Sequence, residues 1–261
     1  MLVALRLRND TALTALGGID GMGNRISEGN DKNAQPDVAE PSEQLISVLD
    51  AASVTVRALS RALELRDYRR GEFAETRDHC ERVTRIAMRL TEAVAPQLVD
   101  DPQLEYGFRL HDIGMLAISD TILLKQGALT ERELDEVREH PWLGERIVAH
   151  APFLNGVARQ VIGSHHEKWD GSGYPRRLAN TEIPLPARIF ALADAFDSMT
   201  SDQPYRRALP FDFALSEIDD KAGSHFDPQL TRAFLSIAHD LRSQVTPEPA
   251  VAAVATAHQA A

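Results

Sequence analysis

The chain has 261 residues, 43% of them hydrophobic, which is enough to bury one full core with terminal segments left over. Its 39 acidic and 28 basic side chains give a formal net charge of -11, which argues against a polymeric nucleic acid or an acidic membrane surface as the general partner. The single cysteine, Cys80, excludes an intrachain disulfide and fits a reducing cytoplasm, and no apolar run reaches the length of a membrane span.

The start, Met1 to Arg8, is too short an apolar run for a signal peptide and lacks a small-residue cleavage site. Residues 1–40, with Gly17-Gly18, Gly29-Asn30-Asp31 and Pro36, read as a disordered or loosely packed segment. Ser42 then caps a helix with apolar positions at Leu45, Leu49, Ala52, Val56, Leu59 and Leu63. An exposed face of this helix is open to a homodimer, or the helix instead covers the domain core. A second helix is expected over about 75–97, with Val83, Ile86, Ala87 and Leu90 on one face. Asp101-Pro102 opens a third, which aligns Leu104, Phe108 and His111. Thr130 and Glu133 form a capping box ahead of Leu134 and Val137. Further helices carry Val157, Val161, Ile162, His165 and His166, then Pro186 to Phe196, then Asp227-Pro228 to Ile237. From about residue 244 the chain is an Ala- and Pro-rich tail. The fold class is all-α, with one domain over 41–243.

Polar residues fall on these apolar faces. Glu75 and His79 lie one turn apart on a single helix, so a carboxylate and an imidazole point the same way. His111 follows a buried stripe and is followed at once by Asp112. His165 and His166 continue the lines of Val161 and Ile162, and Asp194 sits among Ala191, Leu192, Ala193 and Phe196. Taken singly, each histidine is more often a hydrogen-bonded core residue than a ligand. His140, ahead of Pro141, reads as a helix-end residue, and His150, His225, His239 and His258 keep the bland reading. Cys80 beside His79 is a weak nucleophile candidate without a base-and-loop setting. Taken together, the acids and histidines outnumber the nearby bases that would pair them. Divalent cations satisfy the whole set at once, and nitrogen and oxygen donors without thiolate suit iron, manganese or zinc.

The run Leu110-His111-Asp112-Ile113-Gly114 resembles the signature of the HD phosphohydrolase superfamily. The pattern His165-His166-Glu167, Asp170-Gly171, Gly173-Tyr174-Pro175 is similar to that of the HD-GYP subfamily. Glu75 with His79, His140-Pro141, and Ala191 to Asp197 with Thr200-Ser201 fit in order, so the resemblance covers about residues 45–240. It implies a helical HD-domain bundle, extended by C-terminal helices carrying the GYP loop, that hydrolyses cyclic di-GMP to linear pGpG or GMP in the cytoplasm. It further implies His79, His111, Asp112, His140, His165, His166 and Asp194 as metal ligands. Asp112 bridges two ions and Glu75 matches the acid that holds a third. His111 and Asp112 form the catalytic centre, where a metal-bridging hydroxide attacks phosphorus. Gly173, Tyr174, Pro175 and Arg206 are the implied substrate contacts, and the GYP loop is the implied docking point for a cyclic di-GMP synthase or another signalling protein.

The chain departs from the family pattern at two positions. Met115 stands where members carry lysine after His-Asp-Ile-Gly, and Gln203 stands where they carry arginine. Each departure removes a cation that would meet phosphate, at a cost of about 1.5–3 kcal/mol when such a contact is buried. These losses keep two other readings open: a docking module with little turnover, or a hydrolase of another cyclic dinucleotide or phosphoester.

Overall fold

The computed structural model describes residues 43–69, 79–125, 127–202 and 207–245. Contacts divide the chain into a unit ending at Asp50, of which only the start of the first helix is described, and a unit from Ala51 onward that contains everything below.

The described residues form helices α1 (Glu43–Arg69), α2 (His79–Val94), α3 (Pro102–Arg109), α4 (Asp120–Leu123), α5 (Glu131–Arg138), α6 (His140–Val148), α7 (Val157–Ser164), α8 (Leu185–Thr200), α9 (Phe211–Asp220) and α10 (Pro228–Val245). No strand occurs among them, so the all-α expectation holds. None of these helices is long and apolar enough to cross a membrane.

Several helix ends follow directly from the sequence. The Asp101 side chain accepts from the Gln103 N–H ahead of Pro102, and Thr130 with Glu133 closes the capping box of α5. The second helix ends at Val94 and not at residue 97. Pro96 cannot continue it, because its ring disfavours helical backbone at Ala95, and a 3-10 turn over Pro96–Leu98 follows instead. The sequence pattern gave no sign of α4, α6 or α9 as separate helices. Pro141 marks the start of α6 and not a break, because it occupies the first turn, where a missing N–H costs nothing.

Helices α2 and α8 pack along each other at the centre, α3 and α6 flank α7, and α9 and α10 close over α2 and α8. Their shared core contains Val83, Ile86, Leu90, Phe108, Phe190, Phe196 and Phe234, all essentially inaccessible. A second cluster joins Ala52, Val56 and Leu63 of α1 to Leu110, Ile113, Leu154 and Ile162. The two cores meet on either side of the turn after α3, which carries His111 and Asp112. Arg66 of α1 fixes the far end of that turn. It donates to the Ile118 carbonyl at 2.7 Å and to Asp120 at 2.8 Å, and it also bonds the Met115 carbonyl.

Candidate metal centre

Five segments deliver the ligand candidates to one place. His79 opens α2, His111 and Asp112 form the turn after α3, His140 opens α6, His165 and His166 follow α7, and Asp194 lies mid-way along α8. Helix ends allow this convergence because their backbones can approach more closely than two full helices. Gly114 makes the closest approach: a Cβ there would lie 1.8 Å from the His140 carbonyl oxygen and 2.6 Å from the Gly144 nitrogen. Only glycine lets the Asp112 turn seat against the start of α6.

The side chains form two groups, Asp112 with His140, His165 and His166, and His79 with His111 and Asp194. Within each group one donor atom per residue lies within 4.8 Å of the others. Asp112 belongs to both by geometry. Its Oδ1 lies 3.1 Å from His140 Nε2 and 3.6 Å from His165 Nε2, and its Oδ2 lies 3.3 Å from His111 Nε2. In the other group His79 Nε2 stands 3.4 Å from Asp194 Oδ1.

The histidine tautomers follow from their outer partners. His111 Nδ1 lies 3.0 Å from the Phe108 carbonyl, His140 Nδ1 2.8 Å from that of Val137, and His165 Nδ1 3.0 Å from that of Ile162. A carbonyl can only accept, so each Nδ1 carries a proton and each Nε2 faces inward as the atom available to an ion. His140 Nε2 and His165 Nε2 face each other at 3.1 Å. At that distance the two nitrogens need a positive charge between or beside them, supplied by a proton or by a metal ion. The donor set therefore fits a divalent ion.

The acids and histidines of the centre also shift one another's titration. Although desolvation opposes its charge, the neighbouring His111, His140 and His165 hold the Asp112 carboxyl well below the usual range. Desolvation likewise works against His79, but Asp194 and Asp197 raise it to about 10, and in return His79 holds Asp194 down at about 2. Burial, followed by the neighbouring ring of His165, pushes His166 well below its ordinary value, so this ring stays neutral and able to coordinate.

The loop after His166 is built around Gly173 and Glu167. A Cβ on Gly173 would lie 2.3 Å from the Lys168 nitrogen, so glycine allows the loop to fold back onto its own start. Glu167 is buried and accepts from the backbone N–H groups of Arg176 at 2.7 Å and Leu178 at 3.1 Å. It is thus an anchor for the loop and not a ligand. The Tyr174 ring stacks on His166 with centroids 4.8 Å apart and meets His140 edge-on at 6.4 Å, forming a wall of the centre. Pro175 follows it, half-buried.

Two expected site residues, Glu75 and Arg206, lie outside the described residues, as does Gln203. His150 and His239 are exposed and away from the cluster, and His225 packs on Phe226. Cys80 is half-buried in the first turn of α2. Met115 is half-buried against Ile118, Ile122 and Leu123, so its side chain has an apolar setting of its own. Sequence reasoning missed Asp197. It is fully buried, accepts from His79 Nδ1 at 2.7 Å, and is held by Arg82 at 2.7 and 3.1 Å. Its signal was available, one helical turn beyond Asp194 on an apolar face.

Fold and site together define an all-helical protein built around a His/Asp centre for divalent cations. Residues 57–230 match the family model described as HD domain, and the chain belongs to that family. It is 38% identical over 169 residues to a cyclic di-GMP phosphodiesterase of Thermotoga maritima, covering 64% of this chain and 46% of that protein. It is 37% identical to a cyclic di-GMP phosphodiesterase response regulator of Xanthomonas campestris pv. campestris, covering 69% and 47%. A 3'3'-cGAMP-specific phosphodiesterase of Vibrio cholerae is 32% identical, with 73% of this chain and 36% of that protein aligned. The chain thus spans less than half the length of these relatives. A solved structure of a cyclic GMP-AMP specific phosphodiesterase from Vibrio cholerae shares the fold, with a TM-score of 0.51 at 22% identity, over 72% of this chain and 49% of that one.

Proposed function

We propose that this chain is a metal-dependent phosphodiesterase that opens cyclic di-GMP to linear pGpG or GMP, with residues 41–243 as its phosphohydrolase domain. The observation that carries the reading is Asp112, whose two oxygens face two separate histidine groups. That is the arrangement a two-metal phosphoryl-transfer site requires. The names of the relatives from Thermotoga maritima and Xanthomonas campestris support the substrate.

One group would hold an ion through Asp112, His140, His165 and His166, and the other through His79, His111 and Asp194, with Glu75 as a candidate ligand to a third. Iron, manganese and zinc all suit these donors. Such ions supply charge neutralisation at the phosphoryl oxygens and an activated water. The protein's own contribution is positional. The carbonyls of Phe108, Val137 and Ile162 fix the rings of His111, His140 and His165 before substrate arrives. Asp112 stays ionised across the working range, so no proton competes for it. Burial keeps the Tyr174 phenol protonated, which leaves it able to donate to a phosphate or sugar oxygen while its ring excludes water beside His166. Gly173 and Pro175 shape that wall, and Arg206 is the basic side chain assigned to substrate phosphate. The GYP loop is also the surface through which a cyclic di-GMP synthase or another signalling protein would dock. A homodimer would use the outer face of α1, where Val54 and Leu65 are exposed.

A second substrate, 3'3'-cGAMP, is favoured by the relative of that specificity. Side-by-side hydrolysis of the two cyclic dinucleotides by metal-loaded protein decides between them. Faster turnover of cyclic di-GMP is expected. Metal uptake without cleavage of either would leave the docking reading in its place.

A further inference from the structure

Next to the metal centre, sharing Tyr174 with it, lies an open cleft of about 530 Å³ between α5 and the loop. Its walls include Asp135 and Arg138 from α5, and Lys168, Ser172, Tyr174 and Arg177 from the loop. Three cations face one carboxylate there, in a chain whose overall balance is strongly acidic. Asp135 is already engaged by Arg138 at 2.9 Å. Among the described residues, neither Lys168 nor Arg177 forms an ion pair with a carboxylate.

Arg177 is also conformationally out of place. Its φ is 56°, a left-handed backbone that favours glycine. The loop backbone at this point is tied by Glu167, which takes the N–H groups of Arg176 and Leu178, while the Arg177 side chain makes no hydrogen bond or ion pair among the described residues. A non-glycine residue held in such a conformation points to a use for the side chain.

We infer that Arg138, Lys168 and Arg177 form an anion subsite that takes the non-reacting phosphate of a cyclic dinucleotide while the reacting phosphate lies at the metal centre. The inference rests on the proposed function, since it concerns a substrate with two phosphates. Tyr174 joins the two places, since its ring stacks on His166 and the residue also lines the cleft. A guanidinium can meet a phosphate with two parallel N–H donors, and Lys168 adds a point charge. The subsite supplies from the GYP loop the positive charge that Met115 and Gln203 do not provide.

The test is equilibrium binding of cyclic di-GMP to the full chain stripped of metal with chelator, where no turnover can occur. R177G is expected to weaken binding by about tenfold, the loss of one charge-assisted contact, and to keep or raise the thermal midpoint because glycine accepts the backbone. R177K should recover part of the affinity, and K168Q should weaken it independently. Unchanged affinity in both R177G and K168Q, or no binding by the wild-type protein, overturns the subsite. Failure of the reloaded wild-type protein to cleave cyclic di-GMP would instead overturn the proposed function, and the binding comparison would still decide the subsite.

Discussion

Asp197→Asn perturbs the centre without replacing any ligand candidate. In the native protein the fully buried carboxylate accepts from His79 Nδ1 at 2.7 Å, from Arg82 Nε at 2.7 Å and from Arg82 Nη2 at 3.1 Å. An amide of the same shape has one accepting oxygen, so its NH2 must face either the imidazole N–H or the guanidinium. Each hydrogen bond to a charged group contributes about 1.5–3 kcal/mol, and leaving one charge of a buried pair uncompensated costs about 3–5 kcal/mol. Arg82 retains 20% side-chain exposure and its Nη2 keeps Ser201 Oγ at 2.9 Å, so part of that loss is recovered. The expected net destabilisation is about 2–3 kcal/mol, read by urea unfolding of metal-free protein. The ring of His79 also loses its outer acceptor, an effect of about 10–100-fold on metal affinity at centres of this kind. Metal analysis should therefore show the group of His79, His111 and Asp194 emptying first while the Asp112 group stays loaded. Equal stability and unchanged metal affinity in Asp197→Asn would refute the reasoning.

The remaining predictions concern the backbone approach, the cation lost at Met115 and the pH dependence. Gly114→Ala puts a methyl group 1.8 Å from the His140 carbonyl oxygen, so soluble protein should lose metal from the Asp112 group and unfold at least about 1–3 kcal/mol more easily; native-like metal content would contradict the geometry. Met115→Lys keeps an aliphatic stem against Ile118 and Leu123 while restoring a charge one turn from Asp112. It should tighten cyclic di-GMP binding about tenfold, and an unchanged dissociation constant would mean that this position does not meet phosphate. In the metal-free protein His79 is raised from 6.5 to about 10, so its stabilising contribution is fully present below about pH 6.5 and is lost as pH rises toward 10. Thermal midpoints should fall between pH 7 and 10, with a shallower fall in Asp197→Asn, whereas a midpoint that rises over this range would reverse the sign.

Much of the centre is legible in the sequence because its residues sit at element ends that the sequence marks. Asp101-Pro102 and the stripe Leu104 to Phe108 place His111, and the continuation of Val161 and Ile162 places His165 and His166. The separation into two groups, and the position of Asp112 between them, depends on how the ends of α2, α3, α6 and α7 converge on the middle of α8, which no local pattern encodes. His140 shows the difficulty most clearly. Pro141 is a stop signal and a start signal alike, and only the close seat of Gly114 against α6 shows that it starts a helix and turns His140 inward. Helix α9 escaped notice because it buries only Ala214 and Ile218, too few positions to establish a period. Asp197 was readable as a buried acid, but its partners, His79 and Arg82, lie more than a hundred residues away. Arg177 became informative only once its backbone angle was known.

The proposed activity depends on the two histidine groups that meet at Asp112. Cyclic di-GMP hydrolysis should be followed with protein stripped by chelator and then titrated with ferrous iron or manganese, beside Asp112→Ala treated in the same way. Activity should be absent in the stripped protein, appear as metal is taken up, and fail to appear in Asp112→Ala, which should bind less metal per chain. Full metal content and undiminished hydrolysis in Asp112→Ala would contradict it.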